Sequence, residues 1–365
     1  MAKSGLSRRG ALQSLTAFLA ALGPAAPALA QVLPPRRVSL TPPPQPIEIE
    51  ARVLAGFERT NAARRQFGRL EFRGGLVLTS PAKEFGGWSG LVMDDSGRRL
   101  LAVSDRGHWM MADLVQSAGG LNGLRDAVIG DIAGIGGRRL TGRDADAEGI
   151  TLLDGTLARG TVLISFERNH RIGRFPVSDR GLEAPTGYLK MPSDIRRVVG
   201  FNKGIEAVGV LRGGPLGGSV IAFAEEGFDD KRNHTGWIWP GGFDGEPQRL
   251  GLTNIGDFAV TDVASLPDGS LIVLERKFRW LEGVRMRLRL IRAAHVKPGA
   301  LLEGEMLIEA DLGSEIDNME GLALSRDQHG QTIITLISDN NFNAILQRSL
   351  LLQFALGPDT TAKVR

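Results

Sequence analysis

The sequence predicts an all-β chain folded as a β-propeller of five four-stranded blades, and three observations carry that reading. The first is a motif in which an acidic residue precedes a small or apolar one at the start of a strand-like segment. It occurs as Glu148-Gly149-Ile150, Glu206-Ala207-Val208, Asp262-Val263-Ala264 and Glu320-Gly321-Leu322, with Ser89-Gly90-Leu91 as a fifth copy that has serine in place of the acid. The second is the spacing. Successive copies lie 59, 58, 56 and 58 residues apart (148−89, 206−148, 262−206, 320−262), and so regular a period marks one supersecondary unit repeated about or along an axis. The third is the content of each unit, which reads as four short antiparallel strands and so as a propeller blade.

From the N-terminus, residues 1–30 read as an export signal. Lys3, Arg8 and Arg9 form a basic start, residues 11–22 an apolar stretch, and Ala28-Leu29-Ala30 a small-residue cleavage site. Ser7-Arg8-Arg9-Gly10 resembles a twin-arginine motif, which implies the twin-arginine export machinery as a partner and a periplasmic or otherwise exported location. The apolar stretch is too short and too interrupted for a membrane span, and no stable span is expected once the signal is removed. Residues 31–46 are Pro-rich and predict an extended linker. Residues 47–69 form an N-terminal extension, residues 70–356 the propeller and residues 357–365 a tail.

Within each unit the motif opens a short apolar strand, a Gly/Asp turn follows, and a second apolar strand returns. Ser96-Gly97 in the first unit and Pro267-Asp268-Gly269 in the fourth are hairpin signals. Third strands are expected at 109–115, 171–177, 236–240, 287–293 and 350–356, and fourth strands at 126–132, 187–192, 247–252 and 306–312. The last unit has no downstream fourth strand, and residues 70–80 fill that place and close the ring. Residues 47–69 then form either an extra strand pair or a degenerate sixth blade.

Composition excludes several functions. The chain has no cysteine, which removes disulfides, thiolate zinc sites and cysteine nucleophiles. It carries 44 basic and 41 acidic side chains, and without the three basic residues of the signal the balance is 41 to 41. A neutral mature chain with scattered arginine doublets offers no electrostatic case for nucleic acid.

A second acidic column closes each unit's second strand, at Asp105, Glu167, Glu225, Glu275 and Asp339, with His108, His170, Phe228, Phe278 and Phe342 three residues further on. The start of one strand and the end of its antiparallel partner share a sheet edge. Both columns therefore surround one mouth of the central channel. So many carboxylates need cations or donors to ionise together. Ca²⁺, a hard cation that takes six to eight oxygens, is the expected cofactor, with Asp105, Glu148, Glu206, Asp262, Glu320 and Asp339 as candidate ligands and Asn202, Asn318, Asn340 and Asn341 as neutral additions. Arg106, Arg168 and Arg276 either pair with the neighbouring acids or hold a phosphate. Glu148, Glu206, Asp262 and Glu320 are the candidate catalytic carboxylates.

Taken in order, SGL…LLAVSDRG, DAEGI…VLISFERN, IEAVGV…AFAEEGFDD, TDVASLPDGSLIVLERKF and NMEGLAL…ISDNNF resemble the phytase-like family, described as having esterase-like activity of phytase and consisting of exported bacterial β-propeller proteins. The resemblance spans roughly residues 70–356. It implies a calcium-assisted phosphoesterase or related esterase with its site at the carboxylate mouth. It carries over onto Glu148, Glu206, Asp262 and Glu320 and the arginines beside them, while Ser89 interrupts the column.

The leading expectation is a metal-dependent hydrolase acting on a small, possibly phosphorylated substrate. A serine esterase using Ser89 with His108 or His170, a lactonase, and a non-catalytic ligand-binding propeller are the alternatives. Gly87-Trp88-Ser89-Gly90 lacks the G-x-S-x-G spacing of a nucleophile elbow.

Overall fold

The computed structural model describes residues 39–117, 120–199, 203–343 and 345–358. The expected export signal, the first part of the Pro-rich linker, Asn202 and the end of the tail lie outside the described residues. Five sheets form a ring of five blades.

Each blade runs from an innermost strand outwards. Blade 1 comprises Trp88–Met93, Arg99–Ser104, His108–Ser117 and Gly120–Asp131, and blade 2 comprises Ala147–Thr156, Arg159–Phe166 and Arg171–Ser178 with two short outer pairings at Gly181–Leu182 and Gly187–Tyr188. Blade 3 holds Ile205–Val210, Val220–Phe228, His234–Trp239 and Gln248–Leu252, and gains Leu301–Leu302 as a parallel edge. Blade 4 holds Ala259–Ser265, Leu271–Arg279, Gly283–Ile291 and Glu305–Ala310. Blade 5 holds Asn318–Arg326, Thr332–Asp339 and Ser349–Leu356, and its fourth strand is Leu70–Thr79 from the N-terminus. Joining the two ends of the chain in one sheet removes the open edge that a ring of blades would otherwise leave.

The N-terminal extension is not a sixth blade. Glu50–Val53 pairs with the outer edge of Leu70–Thr79 as an added fifth strand, and Gln66–Phe67 forms a small hairpin on the same strand. The linker also ends in contact with the ring, because Gln45–Pro46 pairs with Val128 and Ile129 on the rim of blade 1.

Apolar side chains from facing blades build one cluster at each of the five interfaces among the described residues. Trp109 of blade 1 packs with Phe166 and Phe175 of blade 2, and Trp237 and Trp239 of blade 3 pack with Leu163 of blade 2. Each large side chain so buried contributes about 1.5–3 kcal/mol relative to exposure, so the blade interfaces carry most of the stability that disulfides would supply elsewhere.

The innermost strands touch one another in ring order, and the motif's second residue explains how closely. A Cβ on Gly149 would lie 2.3 Å from the Glu206 carbonyl oxygen, and one on Gly321 would lie 3.0 Å from the Leu91 nitrogen. Glycine recurs there because backbone of the next blade occupies the space a side chain would take. This waist separates the two ends of the central channel.

Candidate functional site at the acidic mouth

The side chains at the mouth are aimed by β-bulges. Near the mouth a bulge interrupts the pairing of each innermost strand with the second strand, at Ser89, at Glu148 with Gly149, at Glu206, at Thr261 and at Glu320. A bulge inserts one residue, bends the strand and re-aims its side chain, here at the edge where the second strand ends. On the second strands, the residues just beyond the pair that flanks the bulge on the mouth side are Asp105, Glu167, Glu225, Arg276 and Asp339.

This register corrects the fourth unit by one residue. The bulged residue is Thr261, and Asp262 falls where blades 1, 2 and 5 have glycine and blade 3 has Ala207. Its Oδ1 accepts from the Val263 N–H at 2.8 Å and its Oδ2 from the Leu322 N–H of blade 5 at 2.7 Å. Asp262 therefore ties two innermost strands together at the waist. Glu275 likewise turns away from the mouth. It forms a fully buried, two-bonded pair with Arg289, 2.6 and 2.7 Å long. Arg276, expected beside Glu275, instead lies 3.0 Å from Glu320 and 3.4 Å from Glu225. Blade 4 thus brings a cation to the ring where the other blades bring acids.

Seven carboxylates of the two columns remain at the mouth: Asp105, Glu148, Glu167, Glu206, Glu225, Glu320 and Asp339. Asp146 is an eighth, absent from the sequence reading because no other blade has an acid two residues before the bulge. The alternation Asp144-Ala145-Asp146-Ala147-Glu148 was the signal for it, since residues two apart on a strand share a face. One oxygen from each of Asp146, Glu148 and Glu167 lies within 4.8 Å of the others. Arg168 Nε approaches Asp146 Oδ2 at 2.9 Å and Glu167 Oε2 at 3.7 Å, and the Oδ2 contact is an ion pair without hydrogen-bond geometry.

Burial and mutual repulsion raise most of these acids. Burial foremost, then Asp339 and Asp146, pushes Asp105 up to about 7. Burial and a hydrogen bond with Asp146 push Glu167 up to about 7. Burial pushes Glu320 up to about 8, even though Arg276 opposes it and Asn318 Nδ2 donates to its Oε1 at 2.9 Å. Glu148 rises through burial and then Asp146 and Glu320, and Glu206 through burial and then Glu225 and Glu148. Burial raises Asp339 as well, although it accepts from the Asn341 N–H at 2.6 Å. The raised acids come from blades 1, 2, 3 and 5, so they form one electrostatic unit.

The remaining candidates are distributed unevenly. Arg106 is exposed, its guanidinium 3.5 Å above the Phe342 ring. Asn340 is occupied, because its Oδ1 accepts from the Gly87 and Phe342 amides at 3.1 Å each. The aromatic column does not pack as one: Phe342 lies under Arg106, Phe228 lies 5.2 Å from His234, and Phe278 is exposed. Ser89 Oγ donates to the Gly87 carbonyl at 3.3 Å, and His108 Nδ1 faces Asp131 at 3.0 Å.

Comparison with known proteins agrees with this architecture. The family model for phytase-like proteins, described as "Esterase-like activity of phytase", matches residues 83–342, more than half of the chain. The chain belongs to the phytase-like family. No curated protein matches it. Among the described residues of this phytase-like protein, no helix is long and apolar enough to cross a membrane.

Proposed function

We propose that this phytase-like protein is an exported hydrolase of phosphate esters that works with a divalent cation, calcium by preference, at Asp146, Glu148 and Glu167. The observation that carries the reading is the convergence of those three carboxylates, one oxygen of each within 4.8 Å of the others, with Arg168 as the cation beside them. The donor set is all oxygen, as a hard cation requires. A bound cation would neutralise the acids and act as a Lewis acid towards a phosphoryl oxygen.

The chain's own residues supply the rest. Arg106 makes no ion pair among the described residues, and its stacking on Phe342 holds the guanidinium plane for a two-pronged grip on phosphate. Arg168, half exposed beside Asp146, is placed to contact the same anion. Arg276 is held between Glu225 and Glu320, so its charge keeps the ring of acids together. Asp105, with a pKa of about 7, exchanges a proton readily at neutral pH and suits general acid–base work. Ser89 Oγ and His108 Nδ1 are engaged with the Gly87 carbonyl and Asp131, which argues against a Ser89–His108 pair as the nucleophile and base of a serine esterase.

The test is hydrolysis of p-nitrophenyl phosphate by the purified protein with calcium or with EDTA, alongside an aryl acetate and a lactone. Calcium-dependent phosphate release, with a raised KM in Arg106→Ala, is the expected result. Calcium-insensitive turnover of the acetate alone would overturn it. Calcium binding without turnover of any substrate would make the protein a ligand-binding propeller.

A further inference from the structure

The far end of the channel has a different chemistry. Beyond the waist, all five innermost strands contribute to a cavity of about 320 Å³ whose walls include Leu91, Ile150, Val263 and Leu322. Cavities of this size, mostly apolar with a few converging polar groups, suit small ligands. Here the apolar walls alternate with polar residues, among them Asp95, Thr151, Arg212, Ser265 and Arg326.

Arg212 follows the innermost strand of blade 3 and reaches across to blade 2. Its Nη2 donates to the Leu152 carbonyl and its Nη1 to the Leu153 carbonyl at 3.5 Å. Its own backbone N–H donates to Ser265 Oγ of blade 4 at 3.0 Å, which fixes its root. No carboxylate lies within ion-pair distance of its guanidinium among the described residues. The side chain is exposed at the cavity rim, and partial desolvation against blade 2 lowers its pKa, with Asp95 the one charge that opposes this. Ser325, on the innermost strand of blade 5, lines the same cavity, and its hydroxyl is packed against Gly97 of blade 1.

We propose that this end of the channel is a second binding site, for a small organic monoanion: a carboxylate held by Arg212 with a short apolar body against Leu91, Ile150, Val263 and Leu322. The carbonyl bonds leave further N–H groups of the guanidinium for a planar carboxylate, which matches its fork. One charge is the right number, because Arg212 and Arg326 with Asp95 leave the lining one net positive charge, which a monoanion balances. The apolar walls favour a hydrocarbon body over a sugar. This site goes beyond the proposed phosphoesterase function and shares no residue with it.

The experiment is calorimetric titration of hexanoate into the full protein in EDTA, so that neither calcium nor catalysis contributes. Saturable one-site binding is expected, at least tenfold tighter than that of 1-hexanol. Arg212→Gln should weaken it at least tenfold, and Asp95→Asn should strengthen it two- to threefold. Arg212 also bridges blades, so a second variant leaves it in place: Ala264→Phe narrows the cavity from blade 4 and should abolish binding while the protein still melts in one cooperative transition. Absence of saturable heat, equal affinity for 1-hexanol, or binding that survives both Arg212→Gln and Ala264→Phe would overturn the proposal.

Discussion

Glu275 and Arg289 form a salt bridge with no solvent exposure on either side chain, joined by two hydrogen bonds of 2.6 and 2.7 Å. Their strands are neighbours in blade 4, and Arg289 Nη1 also donates to Thr253 Oγ1 of blade 3 at 3.0 Å. Burial raises the Glu275 pKa and Arg289 opposes that rise. The pair is thus a strut between blades, made from a residue whose sequence position suggested the mouth.

Removing one member of such a pair leaves an uncompensated buried charge. Arg289→Met is therefore expected to cost about 3–5 kcal/mol, and the double change Glu275→Leu with Arg289→Met clearly less, since both charges leave together. Urea unfolding of the two variants checks this, and equal losses in both would refute it.

Asp262 makes a sharper distinction between architecture and chemistry. Its two backbone hydrogen bonds, to Val263 and Leu322, are internal to the waist. Asp262→Ala strands the Leu322 amide and should destabilise the fold by about 1–3 kcal/mol. Its calcium-induced rise in melting temperature should equal that of the parent. A lost calcium response with unchanged stability would return Asp262 to the site.

The blades were legible in the sequence because their signals are local. Turn residues and apolar runs lie within single hairpins and recur with a period near 58 residues, whereas the closing strand, Leu70–Thr79, pairs with the far end of the chain and was found by elimination. The site was less legible for a geometric reason. A β-bulge shifts side-chain direction by one residue, and a one-residue slip exchanges the two faces of a strand. In blade 4 the carboxylate of Thr261-Asp262-Val263 occupies the position that is glycine in blades 1, 2 and 5, so residue type pointed to Asp262 and Glu275 where the backbone presents Thr261 and Arg276. Asp146 was missed because it has no counterpart in the other blades. Arg289, the partner of Glu275, could be assigned only once the register of its strand was known.

The acidic triad sets a calcium prediction. A ligand that binds only the folded state raises its stability by RT ln(1 + [L]/Kd), about 2.7 kcal/mol at a hundredfold excess over Kd. Cation binding needs ionised carboxylates, and Glu167 sits at about 7, so the calcium-induced shift should grow from pH 6 to pH 8. Glu148→Gln and Glu167→Gln should largely lose it. Glu320→Gln should keep part, because Glu320 is already engaged by Arg276 and Asn318. Thermal melts with EDTA and with added calcium decide the matter, and an unresponsive parent protein removes the metal from the proposed function.

His234 gives the fold an acid limit of its own. The ring is fully buried 5.2 Å from Phe228, and burial, then Arg289, lowers its pKa to about 4. An unfolded histidine titrates near 6.5, so between pH 6.5 and 4 the unfolded chain binds a proton that the native ring refuses. Stability must fall as the pH drops through that window, by up to about 3 kcal/mol at its lower end. The raised mouth carboxylates act in the opposite sense. Glu320, at about 8, contributes stability that is complete below its unfolded value near 4.5 and disappears as the pH rises through 8. The two effects separate in a difference measurement. Urea midpoints of the parent and His234→Phe, both in EDTA, should run parallel from pH 7 to 9 and diverge below pH 6.5, with the variant losing less. Parallel curves down to pH 4 would mean that His234 is charged in the native fold and that a partner inside the blade 3–blade 4 interface accepts its proton.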